Sequence, residues 1–326
     1  MNNDIKFTVN KLSQKLKKNN IHYEELSFLA GDASPRMYFI IKQGKKKNVL
    51  MLDNEPKNLE KFINLTFFLK DFVTVPKILN DYRELDFLII ENFGNNKFSK
   101  VLSPLNRSRL YKLALDAIIY IHKKNPKFNL PKYNKDDFFK ESDLFFDWFL
   151  KNRKNGKNLF KNLKSDFNNT FNSYLEKVFL LPQVFNHRDY HVDNLFNLRD
   201  RKDHLRCGWI DYQDALIGPC VYDLVSLTQD ARIDVDKEIE DKIINYYLNK
   251  FNSIDKNIFL FSYKVIAIQR HLKVLGIFSR LSIKYKKKSY LKHMPRVLNL
   301  LKFNLKHCEF KPIKKILLPL IKFEND

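Results

Sequence analysis

The stretch that most limits what this chain can fold into is His187-Arg188-Asp189-Tyr190-His191-Val192-Asp193-Asn194. Its pattern is H-R-D-x-x-x-x-N. Seventeen residues after Asn194, an apolar run delivers a second carboxylate, Asp211, within Gly208-Trp209-Ile210-Asp211-Tyr212-Gln213-Asp214. Such a polar loop between apolar runs reads as strand–loop–strand. An alcohol hydroxyl is a poor nucleophile at neutral pH; a carboxylate within hydrogen-bond reach, here Asp189, orients it and accepts its proton. Asn194 offers an uncharged oxygen and Asp211 a charged one. Mg²⁺ favours this small set of protein oxygens because it keeps room for phosphates. Together the three residues suit phosphoryl transfer from a nucleotide on Mg²⁺. His187 and Arg188 read as scaffold that fixes the loop. Two other readings stand beside this one. His187, Asp189 and His191 spell H-x-D-x-H, a pattern of transition-metal ligands, although no further ligands at defined spacing accompany it. The plain alternative is a loop that is polar by chance.

Residues 4–20 carry Ile5, Val9, Leu12 and Leu16 at helical spacing. Residues 25–41 read as strand, tight turn and strand; Gly31 frees the turn, and its backbone N–H groups with Ser34 could cradle a phosphate. Asn48 to Leu52 is a short buried strand, Asn58 to Lys70 a helix, and Phe87 to Ile90 a buried strand that ends in the polar link Glu91-Asn92-Phe93-Gly94. Beyond it the pattern turns helical, over Arg107–Ile121, Asp136–Leu150, Ser165–Phe179, Lys237–Phe251, Ile258–Phe278 and Met294–Lys306. This order predicts an α+β chain with a kinase-like, bilobal fold: a small antiparallel-sheet lobe over residues 1–91 and a larger, mainly helical lobe over residues 92–326. The aromatics of residues 136–150 read as packing. Ile316 to Ile321 is expected to pack back on the surface.

Lys and Arg outnumber Asp and Glu by 59 to 37, a net charge of +22. The excess is nearly all Lys, is spread along the chain and travels with abundant Asn, Ile and Phe, so it reads as coding bias rather than a polyanion site. No specific nucleic-acid motif accompanies it. The three cysteines lack C-x-x-C spacing, which argues against a disulfide framework or zinc finger. The N-terminus has no apolar signal core, and the apolar runs are too short to span a bilayer. A cytoplasmic protein without a membrane partner is expected.

The segments GDASPRMYF, ENFG, HRDYHVDNLF, WIDYQDALIGPCVYDLVSL and QRHLKVLGIFSRL occur in this order across Leu29 to Leu300. In them the chain resembles the aminoglycoside-phosphotransferase-like superfamily, and closely its branch of anomeric N-acetylmuramate/N-acetylglucosamine kinases of bacterial cell-wall recycling. The resemblance implies ATP- and Mg²⁺-dependent phosphorylation of an amino sugar at its anomeric hydroxyl. The sugar 1-phosphate would feed a nucleotidyltransferase that makes a UDP-sugar. It implies Asp189 as base, Asn194 and Asp211 as metal ligands, and Gly31, Ser34, Arg36 and Glu91 on the nucleotide side. Gln213 and Asp214 would lie near the acceptor, with Arg270 and His271 as further acceptor residues or as hydrogen-bonded braces. The Gly218-Pro219 and Tyr222-Asp223 segment is expected to brace the metal loop. One departure stands out: kinases carry a phosphate-pairing Lys on the strand equivalent to Asn48–Leu52, where this chain has Met51. Arg36 could replace it, with Glu60 as partner. A kinase of another small alcohol, aminoglycoside or choline, remains an alternative. The absence of an acidic cluster near the C-terminal end argues against a polycationic acceptor. A nucleotide-binding pseudokinase is disfavoured by the intact Asp189, Asn194 and Asp211.

Overall fold

The computed structural model describes residues 3–31, 36–150 and 160–321. In chain order the main elements are α1 (Asn3–Lys18), β1 (Glu25–Ala30), β2 (Met37–Gln43), β3 (Lys46–Leu52), α2 (Pro56–Leu69), β4 (Ile78–Tyr82), β5 (Phe87–Ile90) and α3 (Phe98–Val101). Then follow α4 (Arg107–Lys124), α5 (Lys135–Leu144), α6 (Phe160–Val178), β6 (Gln183–Asn186), β7 (Leu195–Asn197), β8 (Cys207–Trp209) and β9 (Leu216–Pro219). The chain closes with α7 (Tyr222–Thr228), α8 (Lys237–Lys250), α9 (Lys256–Tyr285), α10 (Met294–Asn304) and α11 (Lys311–Leu317). The fold is α+β, as the order of apolar periods implies. The residues cluster into two compact units, Met1–Ser103 with Asp193–Gln213, and Pro104–Val192 with Asp214–Asp326.

The first unit holds a five-stranded antiparallel sheet in the order β1-β2-β3-β5-β4. Period-two alternation turns Phe39 and Ile41 of β2, Leu50 and Leu52 of β3, and Phe87 and Ile89 of β5 to one face, where Leu12 and Leu16 of α1 join them in the core. Register sets Tyr38, Met51 and Leu88 side by side on neighbouring strands. β7 and β8 form a short antiparallel hairpin. It is tied into this unit because the Trp209 N–H donates to the Thr74 carbonyl (2.8 Å) and the Lys97 backbone bridges to Phe196.

The second unit is mainly helical, with β6 and β9 as its two-stranded antiparallel sheet. The aromatic run of residues 136–150 is core. Phe138, Phe145, Phe146 and Phe149 are buried, and Phe145 stacks on Phe149 with ring centroids 5.0 Å apart. The last six residues of the run, Phe145–Leu150, wind as a π-helix, which periodicity alone does not reveal. α9 continues to Tyr285, beyond the apolar stretch that marks its middle. Its Gly276 lies against the backbone at Leu144; a Cβ there would fall 2.3 Å from the Leu144 carbonyl carbon. At the C-terminal end α11 packs on α6 and buries Leu317, and Ile321 beyond the helix is buried as well.

Candidate functional site

In the second unit, β6 delivers His187 and Arg188, and their two amide N–H groups donate to one carboxylate, Asp223 at the start of α7 (2.6 and 3.0 Å). Asp223 therefore clamps the backbone that carries Asp189, whereas the 222–223 segment was expected behind the metal loop. Burial pushes the Asp223 carboxyl up to about 7, against the pull of those two N–H groups and of Arg270. Arg188 holds φ at +76°, a left-handed conformation that a non-glycine residue adopts at a cost. Several bonds fix it there. Its guanidinium pairs with Glu141, and its carbonyl accepts from Arg270 Nη1 (3.0 Å).

Asp189 follows directly. Burial would raise its carboxyl, but Lys273 foremost, then His191, Arg270 and His187, outweigh it and hold the group down at about 2. The carboxylate is thus charged throughout the neutral range. Lys273 donates to Glu141 Oε1 (2.7 Å) and to the Tyr222 hydroxyl (3.3 Å). Glu141 also accepts from Gln269 (3.0 Å) and from the Tyr133 hydroxyl. Burial would raise the Glu141 carboxyl too, yet Lys273 and Arg188 bring it down to about 2. Sequence reasoning missed Tyr133, Glu141 and Lys273. A signal existed for the lysine, which stands three residues after Arg270 on α9 and therefore on the same helical face.

Arg270 acts as a brace: besides the Arg188 carbonyl it donates to Ser226 Oγ (2.7 Å), and its guanidinium lies 4.6 Å from the centroid of the Tyr222 ring. His271 belongs to another network, where its Nε2 meets Gln229 Oε1 (2.8 Å) beside Glu240 and Asn304. Burial and Arg270 depress the imidazole to about 3, so it is neutral. Asp214 is exposed, and its carbonyl accepts a long bond from Arg188 (3.4 Å). Among the described residues no group of three or more His, Cys, Asp or Glu is arranged to hold a metal ion, so His187, Asp189 and His191 do not form a ligand triad.

In the first unit, the β7–β8 hairpin brings Asn194 and Asp211 together. The Ile210 N–H donates to the Asn194 carbonyl (3.0 Å), and Asn194 Nδ2 stands 3.5 Å from Asp211 Oδ2. Asp211 is left-handed, with φ of +65°. Gln213 Nε2 donates to Asp211 Oδ1 (2.9 Å), while the buried Gln213 Oε1 has no hydrogen-bond partner. One carboxylate and one amide oxygen fit a hard cation such as Mg²⁺, which keeps room for phosphate oxygens. Between Asp211 and Gln213, Tyr212 anchors the segment on α2: its ring stacks on Phe62 (5.3 Å between centroids) and its hydroxyl meets Thr66 Oγ1 (2.6 Å).

The nucleotide-side expectations land unevenly. Ser34 lies outside the described residues. Gly31 is confined, since a Cβ there would meet Met37 Cγ at 3.0 Å. Arg36 is buried, and its Nε pairs with Asp53 (3.1 Å), the partner that sequence reasoning sought in the exposed Glu60. Its neighbour Tyr38, overlooked in sequence, feels Arg36, Asp211 and Asp53; burial above all lifts its phenol to about 12. Met51 is fully buried. The Glu91 side chain is engaged by Arg201 (2.8 Å), and its N–H donates to the Lys77 carbonyl (2.8 Å).

Comparison with known proteins agrees with this chemistry. Residues 25–255 match the phosphotransferase enzyme family, APH. An N-acetylmuramate/N-acetylglucosamine kinase of Neisseria meningitidis serogroup B is 31% identical over 315 residues, 91% of either chain. A protein of the same description from Pseudomonas aeruginosa is 31% identical over 281 residues, 83% of this chain and 81% of that one. Among solved structures, ADP-bound aminoglycoside phosphotransferase APH(2'')-Ib superposes with a TM-score of 0.61 at 16% identity, covering 92% of this chain and 98% of its own. Choline kinase LicA from Streptococcus pneumoniae gives a TM-score of 0.61 at 11% identity, over 90% and 99%. At such identities the two structures speak for the fold alone. The match across residues 25–255, with 31% identity sustained over 91% of a curated relative, makes this chain a member of the APH phosphotransferase enzyme family.

Proposed function

We propose that this phosphotransferase uses ATP and Mg²⁺ to phosphorylate the anomeric hydroxyl of N-acetylmuramate or N-acetylglucosamine, releasing the sugar 1-phosphate and ADP within cell-wall recycling. The observation that carries the transfer chemistry is Asp189, a carboxylate kept ionised by Lys273 on a backbone gripped by Asp223. The sugar is suggested by the relatives described as N-acetylmuramate/N-acetylglucosamine kinases. Asp189 accepts a hydrogen bond from the acceptor hydroxyl and aims its oxygen at phosphorus. The new O–P bond forms as the bond between the γ-phosphorus and the β–γ bridging oxygen breaks, and that electron pair leaves with ADP. The hydroxyl proton passes to Asp189 and on to solvent. A carboxyl held at about 2 is a weak base, so its work is mainly orientation, as a loose transition state requires. Asn194 and Asp211 would hold Mg²⁺, which when bound would offset the negative charge of the phosphates.

On the nucleotide side the reading keeps Gly31, Ser34, Arg36 and Glu91, with Arg36 set by Asp53. On the acceptor side, the orphaned Gln213 Oε1 is an acceptor for a sugar hydroxyl, and Asp214 stands next to it in sequence. Arg270 and His271 serve as braces. Cations surround Asp189 in its unit, Lys273 and Arg270 foremost. They favour a neutral or anionic acceptor over a polycationic aminoglycoside. The product suits a following nucleotidyltransferase.

The test is ADP release with a panel of acceptors. The reading expects turnover on N-acetylmuramate or N-acetylglucosamine and none on kanamycin or choline. Asp189→Asn should lower kcat by about 10³-fold or more while leaving the Kd for ADP nearly unchanged. Turnover on choline or an aminoglycoside alone would refute the acceptor assignment.

A further inference from the structure

Phosphates of a bound nucleotide need a fixed positive charge besides the metal, and the strand position that supplies it in kinases holds the buried Met51 here. Arg36 is the obvious substitute, but its charge is already matched. Its Nε pairs with Asp53, a carboxylate only 1% exposed. Asp53 in turn accepts from the Glu55 N–H (3.0 Å) and from Asn58 (3.2 Å), so the pair is locked into the start of α2.

Lys97 differs on every count. Its backbone is pinned to the strand that follows Asn194. It bridges antiparallel to Phe196, and the adjacent Asn96 carbonyl accepts from the Asn197 N–H (2.9 Å). The next residue, Phe98, is buried and begins α3, which fixes the segment from the other side. The Lys97 side chain is half-buried, with Nζ 5.7 Å from the centroid of the Phe196 ring. Among the described residues its ammonium makes no hydrogen bond and no ion pair. A lysine drawn out of water without a partner loses hydration it does not recover, and burial accordingly weakens its hold on the proton. Yet two carboxylates, Asp193 and Asp211, favour its charge from beyond ion-pair range. Phe196, on which Lys97 pairs, stands two residues after Asn194 and opposite Gly208, three residues before Asp211, so Lys97 is joined to the same hairpin as those two residues. Anionic oxygen is the chemistry that an unpaired ammonium beside such a cation site attracts.

We propose that Lys97 is a phosphate-binding residue, supplying to the nucleotide's phosphate oxygens the cation that the Met51 position of β3 does not. The inference rests on the phosphotransfer reading above. Lys97 belongs to the link after β5, so the charge comes from the polar connection rather than from the sheet. It stays poised because Phe196 screens one side of it and no carboxylate captures it.

Calorimetric titration of the wild type, Lys97→Met and Lys97→Arg with ADP, with and without Mg²⁺, and with adenosine provides the test. Lys97→Met should weaken ADP binding about tenfold, the worth of one charged hydrogen bond, and leave adenosine binding unchanged. Lys97→Arg should recover most of the loss, because it restores the charge. Wild-type affinity for ADP in Lys97→Met would overturn the proposal. So would an equal loss for adenosine, which would mark a structural role, or a Lys97→Arg protein no better than Lys97→Met. A wild-type protein that binds no nucleotide at all is a different failure, and it would overturn the phosphotransfer reading itself.

Discussion

Asp189 is an ordinary aspartate made strongly acidic by its neighbours, and Lys273 is the first of them. Its carboxyl falls from an ordinary 3.8 to about 2, so the stability that its charge contributes is present above 3.8 and is lost as pH falls through about 2. Between pH 5 and 9 the group stays ionised, and the wild-type kcat/KM should show no acid limb from it in that range. Lys273→Met removes the leading cation and leaves burial to act in the opposite direction. The acid limb should then move up by about one pH unit or more. A pH profile of kcat/KM checks this, and an unshifted limb would remove Lys273 from the account. The aspartate was legible because its neighbours are fixed by a short loop pattern. Lys273 and Glu141 were not, since their contact joins positions 132 apart in the chain. Arg36 shows the same limit: its charge was legible, but its partner Asp53 depends on which residue the β3–α2 corner turns inward.

At the scale of elements, α9 carries much of the loop's support, with Gln269, Arg270 and Lys273 all reaching the residues around Asp189. Its position depends on Gly276, where the helix meets the Leu144 backbone closely enough to leave no room for a methyl group. Gly276→Ala adds helix propensity worth up to about 1 kcal/mol but drives Cβ into a carbonyl group. Overpacking of this kind costs roughly 1–3 kcal/mol. Thermal unfolding should fall by several degrees, and an unchanged or higher Tm would show that the two segments can part freely. Most helices were visible in the sequence because a 3.6-residue apolar period is long and repetitive. The π-helical segment of residues 145–150 was not, because five aromatic or aliphatic side chains in six positions satisfy any period. The β7–β8 hairpin was visible as strand–loop–strand, but the seat of Tyr212 between Phe62 and Thr66 was not, because it needs α2 to be placed first.

Across the whole molecule, the net charge of +22 is dispersed over exposed lysines, a few of which, such as Lys112, Lys237 and Lys242, pair at the surface with Asp or Glu. Such pairs contribute little individually. The charge we tie to function is the small set beside Asp189 and, under the proposal above, Lys97. The α+β class was legible from the order of strands and helices. That residues 193–213 cluster with the first hundred residues is invisible in linear order, because it depends on Thr74 and Lys97 pairing with the hairpin. Family membership accounts for the phosphotransfer machinery, and the anomeric hydroxyl is the part of the account most exposed to refutation. Phosphorus and carbon NMR of the product formed from ATP, Mg²⁺ and N-acetylmuramate tests it directly. The account predicts a phosphate ester coupled to the anomeric carbon, whereas coupling to carbon 6, or no phosphorylated sugar at all, would contradict it.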